Sequence, residues 1–386
     1  MNLERKLFSV RLQAPLPQTL RAVGMGLAGG LFISLLVGVL GLVIQERDIW
    51  LLWLLAVVLA LFQVRYLCLA YAAGLLTLLH SLALMWPAAG QTGGLGQFWL
   101  WLGEAKPVPL LALVAVMHLA ESFLVNWNGG RDASPLFLEG KRGRIIGGYQ
   151  LHSFWLTPLF LLVETAPGSG FTSPLYPGWP LFSSELTPYL LVLLPAVTGF
   201  SDLTTTMPPR QKAGEIAAGL FWYAIVLLAL AYGSVWWPPL MILAALFAFA
   251  GHEGLFLLSQ RRENRTPPFF IQSPRGVKVM GIIPGTPAEE MGIQPGEVLV
   301  KVNGLPVRKR EDLYPALHVN PAFCKMEVMT LQGEIKFVQC AVYAGHHHQL
   351  GIIVVPDEET RYFVDIHKAS VIQLVKQQLR KVRKGA

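Results

Sequence analysis

The sequence predicts an α-helical polytopic membrane bundle of about eight spans, followed by a small α+β domain at the C-terminus. Three observations predict it. Hydrophobic residues make up 53% of the 386-residue chain and charged ones only 14%, with a mean hydropathy of +0.47, whereas an ordinary globular domain carries about 25% charged residues. Apolar runs of spanning length recur as far as Leu258. Beyond it, short apolar runs punctuated by Gly and Pro take over, as in strands joined by tight turns.

Eight stretches read as spans: Ala22–Ile44, Ile49–Val64, Tyr66–Trp86, Pro107–Trp127, Ile145–Val163, Leu186–Leu203, Ala213–Val235 and Pro238–Leu258. The fifth is interrupted by Pro158 and the sixth by Pro188 and Pro195. Neighbouring helices can satisfy the backbone groups that such prolines free. With the N-terminus inside, the inner segments up to Arg265 hold fourteen Lys and Arg and the outer ones only Arg47 and Lys106. That asymmetry is the positive-inside pattern, and it puts both termini in the cytoplasm. It also gives the net charge of +7 a topological meaning, so no nucleic-acid partner is expected. The bilayer is the first partner. The apolar run after the basic N-terminal segment exceeds a signal-peptide core, and is read as an uncleaved first span.

Ionisable residues inside a membrane are functional candidates. Here they are His80, His118, Glu121, His152, Asp202, Glu215, His252 and Glu253. An intramembrane zinc protease would carry His-Glu-x-x-His, but Phe256 stands where the second histidine belongs. His118 and Glu121 share a helix face without completing a ligand set. Cys68, Cys324 and Cys340 have no metal-type spacing and read as free structural thiols. No nucleotide or nucleophile motif occurs. No cofactor, metal or catalytic residue is therefore expected, and the chain is not read as an enzyme.

The domains expected are a transmembrane unit over 1–258, a polar linker over 259–275, an α+β domain over 276–357 and a basic tail over 358–386. In the third, Pro284-Gly285-Thr286-Pro287 makes a turn into a one-turn helix ended by Gly292. Pro295-Gly296 makes the next turn, and Asn303-Gly304 a hairpin. A helix is expected over Lys309–Val319, and strands over Cys324–Leu331, Glu334–Tyr343 and Leu350–Val355.

The run from Gly276 to Gly304, with these turns and strands in this order, resembles a bacterial PDZ domain. The resemblance implies a domain that adds an extended peptide to a sheet edge, holding its carboxylate in a loop of the Leu-Gly-Ile type. Ser273-Pro274-Arg275-Gly276 has no such loop before the first strand, but Leu350-Gly351-Ile352 does at the far end. The expected peptide site is therefore Leu350, Gly351, Ile352 and Ile353, walled by Leu313 and Leu317 of the helix. The alternative is that Leu350–Val355 is only a core strand. His346-His347-His348 reads as a hairpin end or a metal tract. The tail, with Val371, Ile372, Val375, Leu379 and Val382 at helical spacing, reads as a helix on the inner leaflet or against the domain.

Many spans with a terminal cytoplasmic PDZ domain resemble the MinJ family of division topological determinants of Gram-positive rods. That resemblance implies a scaffold at septum and poles bridging DivIVA-like and MinD-like proteins in division-site selection. Two other readings stay open. One is a degenerate relative of PDZ-containing intramembrane metalloproteases, and the other is a transporter-like bundle with an appended PDZ domain.

Overall fold

A computed structural model describes residues 15–86, 93–141, 143–183, 186–342, 350–357, 360 and 363–364. His346-His347-His348 and the tail beyond Val364 lie outside these residues.

The first helix, α1 (Pro15–Leu40), leads through a short strand, β1 (Val43–Ile44), to α2 (Glu46–Phe62). A 3-10 turn over Val64–Leu67 then reverses the chain into α3 (Leu69–Met85). A short α4 (Gly93–Gly103) precedes α5 (Pro107–Asn128). Prolines open α5 where the first-turn N–H groups have no helical partner. Gly129, at φ 56°, closes it in the left-handed region, its N–H bonded to the Val125 carbonyl. After the sheet strands come α6 (Pro209–Trp236) and α7 (Leu240–Arg265). Of the described helices, α1, α5, α6 and α7 are long and apolar enough to cross a membrane. α2 and α3, with 17 residues each, stand at the short limit for a span.

The fifth and sixth expected spans are corrected. Both are strands, not helices. β3 (Ile145–Glu164) pairs antiparallel with β4 (Tyr189–Thr204) over sixteen positions without a register shift. β2 (Ser134–Glu139) lines the start of β3, and β1 its end. At about 3.4 Å per residue such a ladder is roughly 50 Å long. That exceeds a hydrocarbon core of about 30 Å.

Between β2 and β1 the edge of β3 has no strand partner among the described residues, and α1 covers it. Gly26 and Gly30 sit one turn apart against this edge. A Cβ on Gly26 would lie 2.2 Å from the Leu156 carbonyl oxygen, and one on Gly30 2.4 Å from that of Pro158. Ser34, the next residue on this face, accepts the Phe160 N–H at 2.8 Å and donates to the Gly30 carbonyl. A helix face of small residues thus takes the place of a neighbouring strand. It covers the strand's polar edge, whose backbone groups would be costly left unpaired in apolar surroundings.

The C-terminal sheet runs in the order β10-β5-β6-β8-β9, with β7 attached to β6. Its strands are β5 (Val277–Ile282), β6 (Val298–Val302), β7 (Leu305–Pro306), β8 (Phe323–Met329), β9 (Ile335–Ala341) and β10 (Ile352–Val354). α8 (Pro287–Glu290) follows β5. The expected helix over Lys309–Val319 is a 3-10 turn, Arg310–Asp312, continuing into α9 (Leu313–His318). Pro315 falls in the first turn of α9, where no backbone donor is lost.

α7 continues to Arg265, so the polar stretch from Ser259 begins as helix. The stretch after it packs down. Phe269 N–H bonds to the Thr205 carbonyl, and Gly147 N–H to that of Phe270. Phe270, Met280, Ile353 and Val355 share one apolar cluster with Tyr149, Leu151 and Trp155 of β3. The Tyr149 hydroxyl donates to the Met280 carbonyl across this junction. The C-terminal domain is thereby packed directly on the strand-and-helix unit.

Candidate functional site

The six residues expected to bind peptide gather around one end of the C-terminal sheet. β10 pairs antiparallel with β5, Ile352 opposite Ile282 and Val354 opposite Val279. The Gly351 carbonyl accepts from Ile283 N–H, and the Lys278 carbonyl accepts from Val355 N–H. In an antiparallel ladder these bonds make Ile352 and Val354 non-hydrogen-bonded positions, so their own N–H and C=O groups point away from β5. No described strand pairs that outer edge.

Side chains alternate across β10. Leu350, Ile352 and Val354 pack into the domain core with Leu313 and Leu317 of α9, while Ile353 and Val355 enter the junction cluster. Ile353 thus points away from α9 rather than towards it. A cavity of about 30 Å³ lies at the C-terminal end of α9, lined by Leu317, His318, Asn320, Pro321, Cys324, Val342 and Leu350, the last standing just before β10 begins. Burial pushes the Cys324 thiol up to about 12, with the neighbouring Cys340 adding to it, which leaves that wall neutral.

Gly351 has φ 78°, and a Cβ there would lie 2.0 Å from Thr286 Oγ1. The glycine is required by the Thr286 turn as well as by the backbone angle. Asp312 secures the start of the helical wall. It accepts the Arg308 and Lys309 backbone N–H groups at 2.8 Å each, and these bonds hold its carboxyl below the usual range.

The polar residues of the helical unit form two further groups. Glu253 accepts from Arg65 at 2.8 Å and from the Tyr71 hydroxyl at 2.9 Å, while the Arg65 guanidinium lies 4.1 Å from the Phe256 ring centroid. Phe256 therefore supports an ion pair where a protease would carry a ligand. Beside it, Cys68, His118 and His252 meet, with their ligand atoms all within 4.8 Å of one another. Sequence reading missed this cluster, because its members come from three separate elements.

A PDZ domain family model matches residues 278–326. The chain is 36% identical over 225 residues to the cell division topological determinant MinJ of Bacillus subtilis (strain 168). The chain is MinJ-like. The match takes in 58% of this chain and only 56% of the length of the Bacillus protein. The probable cell division topological determinant MinJ of Lacticaseibacillus paracasei is 27% identical over 288 residues, 71% of this chain and 72% of that protein. A putative serine protease, HhoA of Synechocystis, matches over 48 residues, 12% of either chain. No solved structure matches. The relatives that match most of this MinJ-like chain carry the names of topological determinants rather than enzymes, and its C-terminal unit is a PDZ domain.

Proposed function

We propose that this MinJ-like chain is a membrane-embedded scaffold for division-site selection, and that it holds partners by strand addition at β10. The observation that carries the reading is the outward-facing backbone of Ile352 and Val354, beside a small cavity under Leu317 and Leu350. A peptide laid along that edge gains main-chain hydrogen bonds, and its side chains choose the partner. Leu350, Gly351 and Ile352 form the strand side of the groove, with Leu313 and Leu317 on the helix side. Both termini lie in the cytoplasm, as the basic residues near the ends of α1, α6 and α7 support. The partners are a DivIVA-like pole and septum marker and a MinD-like inhibitor, and the protein gathers at septum and poles.

The test uses the full chain in lipid nanodiscs with purified DivIVA-like and MinD-like proteins. Val354→Pro removes only an outward-facing donor, because that N–H takes no part in the β10–β5 ladder. It is expected to weaken capture with little loss of stability. Undiminished binding by the folded variant would place the partner surface elsewhere.

A further inference from the structure

The structure assigns a metal-binding centre to Cys68, His118 and His252 inside the helical unit, and we infer that it takes a zinc-type divalent cation. Cys68 stands at the start of α3, His118 in the middle of α5 and His252 in the middle of α7. Cys68 Sγ lies 3.4 Å from His118 Nε2 and 3.6 Å from His252 Nε2. Zn–S and Zn–N bonds of about 2.3 and 2.05 Å at a tetrahedral angle put sulfur and nitrogen about 3.6 Å apart. Both separations are therefore those of two ligands sharing one ion.

The surroundings prepare these atoms for that role. His118 Nδ1 is 2.7 Å from the Val114 carbonyl. That bond fixes the proton on Nδ1 and leaves the Nε2 lone pair facing the thiol, the outer-shell arrangement of metal-bound histidines. His252 makes no polar contact among the described residues except to Cys68. Its Nδ1 is buried without a partner, and its ring is held edge-on by Tyr71, Tyr223 and His118. The thiol can donate to His118 Nε2 and accept from His252 Nε2–H, but that pattern leaves His252 Nδ1 buried without a partner.

Charge is compatible with an ion here. Glu121, one turn beyond His118 on α5, makes no hydrogen bond or ion pair among the described residues, and Arg65 is already bound to Glu253. An unpaired carboxyl among apolar helices is either protonated or balanced by a cation. A divalent ion on a thiolate and two neutral imidazoles retains one positive charge, which the Glu121 carboxylate would balance. Thiolate with imidazole is a ligand set that favours zinc over calcium or magnesium. Such an ion would pin α3, α5 and α7 together.

The test is metal analysis of the full chain, purified in detergent without a polyhistidine tag and equilibrated with zinc sulfate. About one zinc per chain is expected. It should be lost in Cys68→Ser and in His252→Gln, and retained in Glu253→Gln. Cobalt should give a thiolate charge-transfer band that Cys68→Ser abolishes. Should the variants fail to fold, cobalt titration of a Cys324→Ser, Cys340→Ser chain, in which Cys68 is the remaining thiol, decides instead: a thiolate charge-transfer band should saturate at one equivalent, and a chelator should remove it. A folded wild type without zinc, zinc content unchanged in a folded Cys68→Ser, or no such band in the folded two-serine chain would each overturn the assignment.

Discussion

Pro158 and Pro195 stand directly opposite each other in the β3–β4 ladder. The Tyr189 N–H and C=O bond to Phe171, away from β3. By alternation, Leu191, Leu193, Pro195 and Val197 also turn their backbone groups outward. Across the ladder, Phe160 N–H reaches Ser34, so Pro158 likewise faces away from β4. Each proline occupies a position where its missing donor costs the ladder nothing.

Proline scanning can check this register. Leu193→Pro should be tolerated, since that N–H faces outward. Leu194→Pro, one residue on, removes a bond to Leu159 and should cost about 1–3 kcal/mol by leaving a buried carbonyl unpaired. Thermal unfolding of the detergent-solubilised chain measures the difference. Equal effects at the two positions would mean a shifted ladder.

The α1–β3 contact makes a second pair of expectations. Gly30→Leu should displace α1 from the hairpin and lower the melting temperature, because its Cβ meets the Pro158 carbonyl. Gly24→Ala meets nothing within 4 Å, and should stabilise slightly, by up to about 1 kcal/mol, through helix propensity. A neutral Gly30→Leu would contradict the packing.

Much of this was legible in the sequence, and the misreading has a physical cause. α1, α5, α6 and α7 are continuous apolar runs long enough to cross a membrane. Ile145–Val163 and Leu186–Leu203 are also predominantly apolar and of spanning length, and their exposed side chains, Phe154, Leu156, Leu191 and Leu193 among them, are apolar too, so no polar alternation marks them as strands. Gly147, Gly148, Pro158, Pro195 and Gly199 were the local signal. Each is a poor residue for a helix interior and tolerable at a strand edge or close approach. In the PDZ domain the turn residues decided matters, with Asn303 and Gly304 at φ 47° and 83° in the hairpin. The junction through Tyr149 and Met280 joins residues 131 apart in the chain, and no local pattern announces it.

Asp312 gives a prediction in pH. Its carboxyl is held low by the Arg308 and Lys309 N–H bonds. Its contribution is therefore complete above the ordinary carboxylate value and is lost as pH falls through the lowered one. Asp312→Ala should destabilise the α9 wall by about 1 kcal/mol at neutral pH. The difference from wild type should vanish in strong acid. Amide exchange across α9 at two pH values reads both.

Cys324 should resist alkylation up to about pH 10, since burial keeps the thiol protonated. Peptide mapping after iodoacetamide treatment tests this. Rapid labelling of the folded chain at pH 8 would show that the cavity wall opens.

Tyr149→Phe should loosen the PDZ domain from the helical unit without unfolding either, costing about 1 kcal/mol for the lost bond to Met280. Spin-label distances between β5 and β2 should broaden. An unchanged distribution would leave the apolar cluster alone responsible for the docking.

The two faces of β10 belong to different masters. Leu350, Ile352 and Val354 are rooted in the PDZ core, and Ile353 and Val355 in the membrane unit. The strand is therefore a rivet, and whatever binds along it inherits a fixed bearing. A partner seated there would be presented at one tilt and one height above the bilayer, so that neighbouring copies in the same membrane would hold their cargoes in parallel, like pegs set in a board.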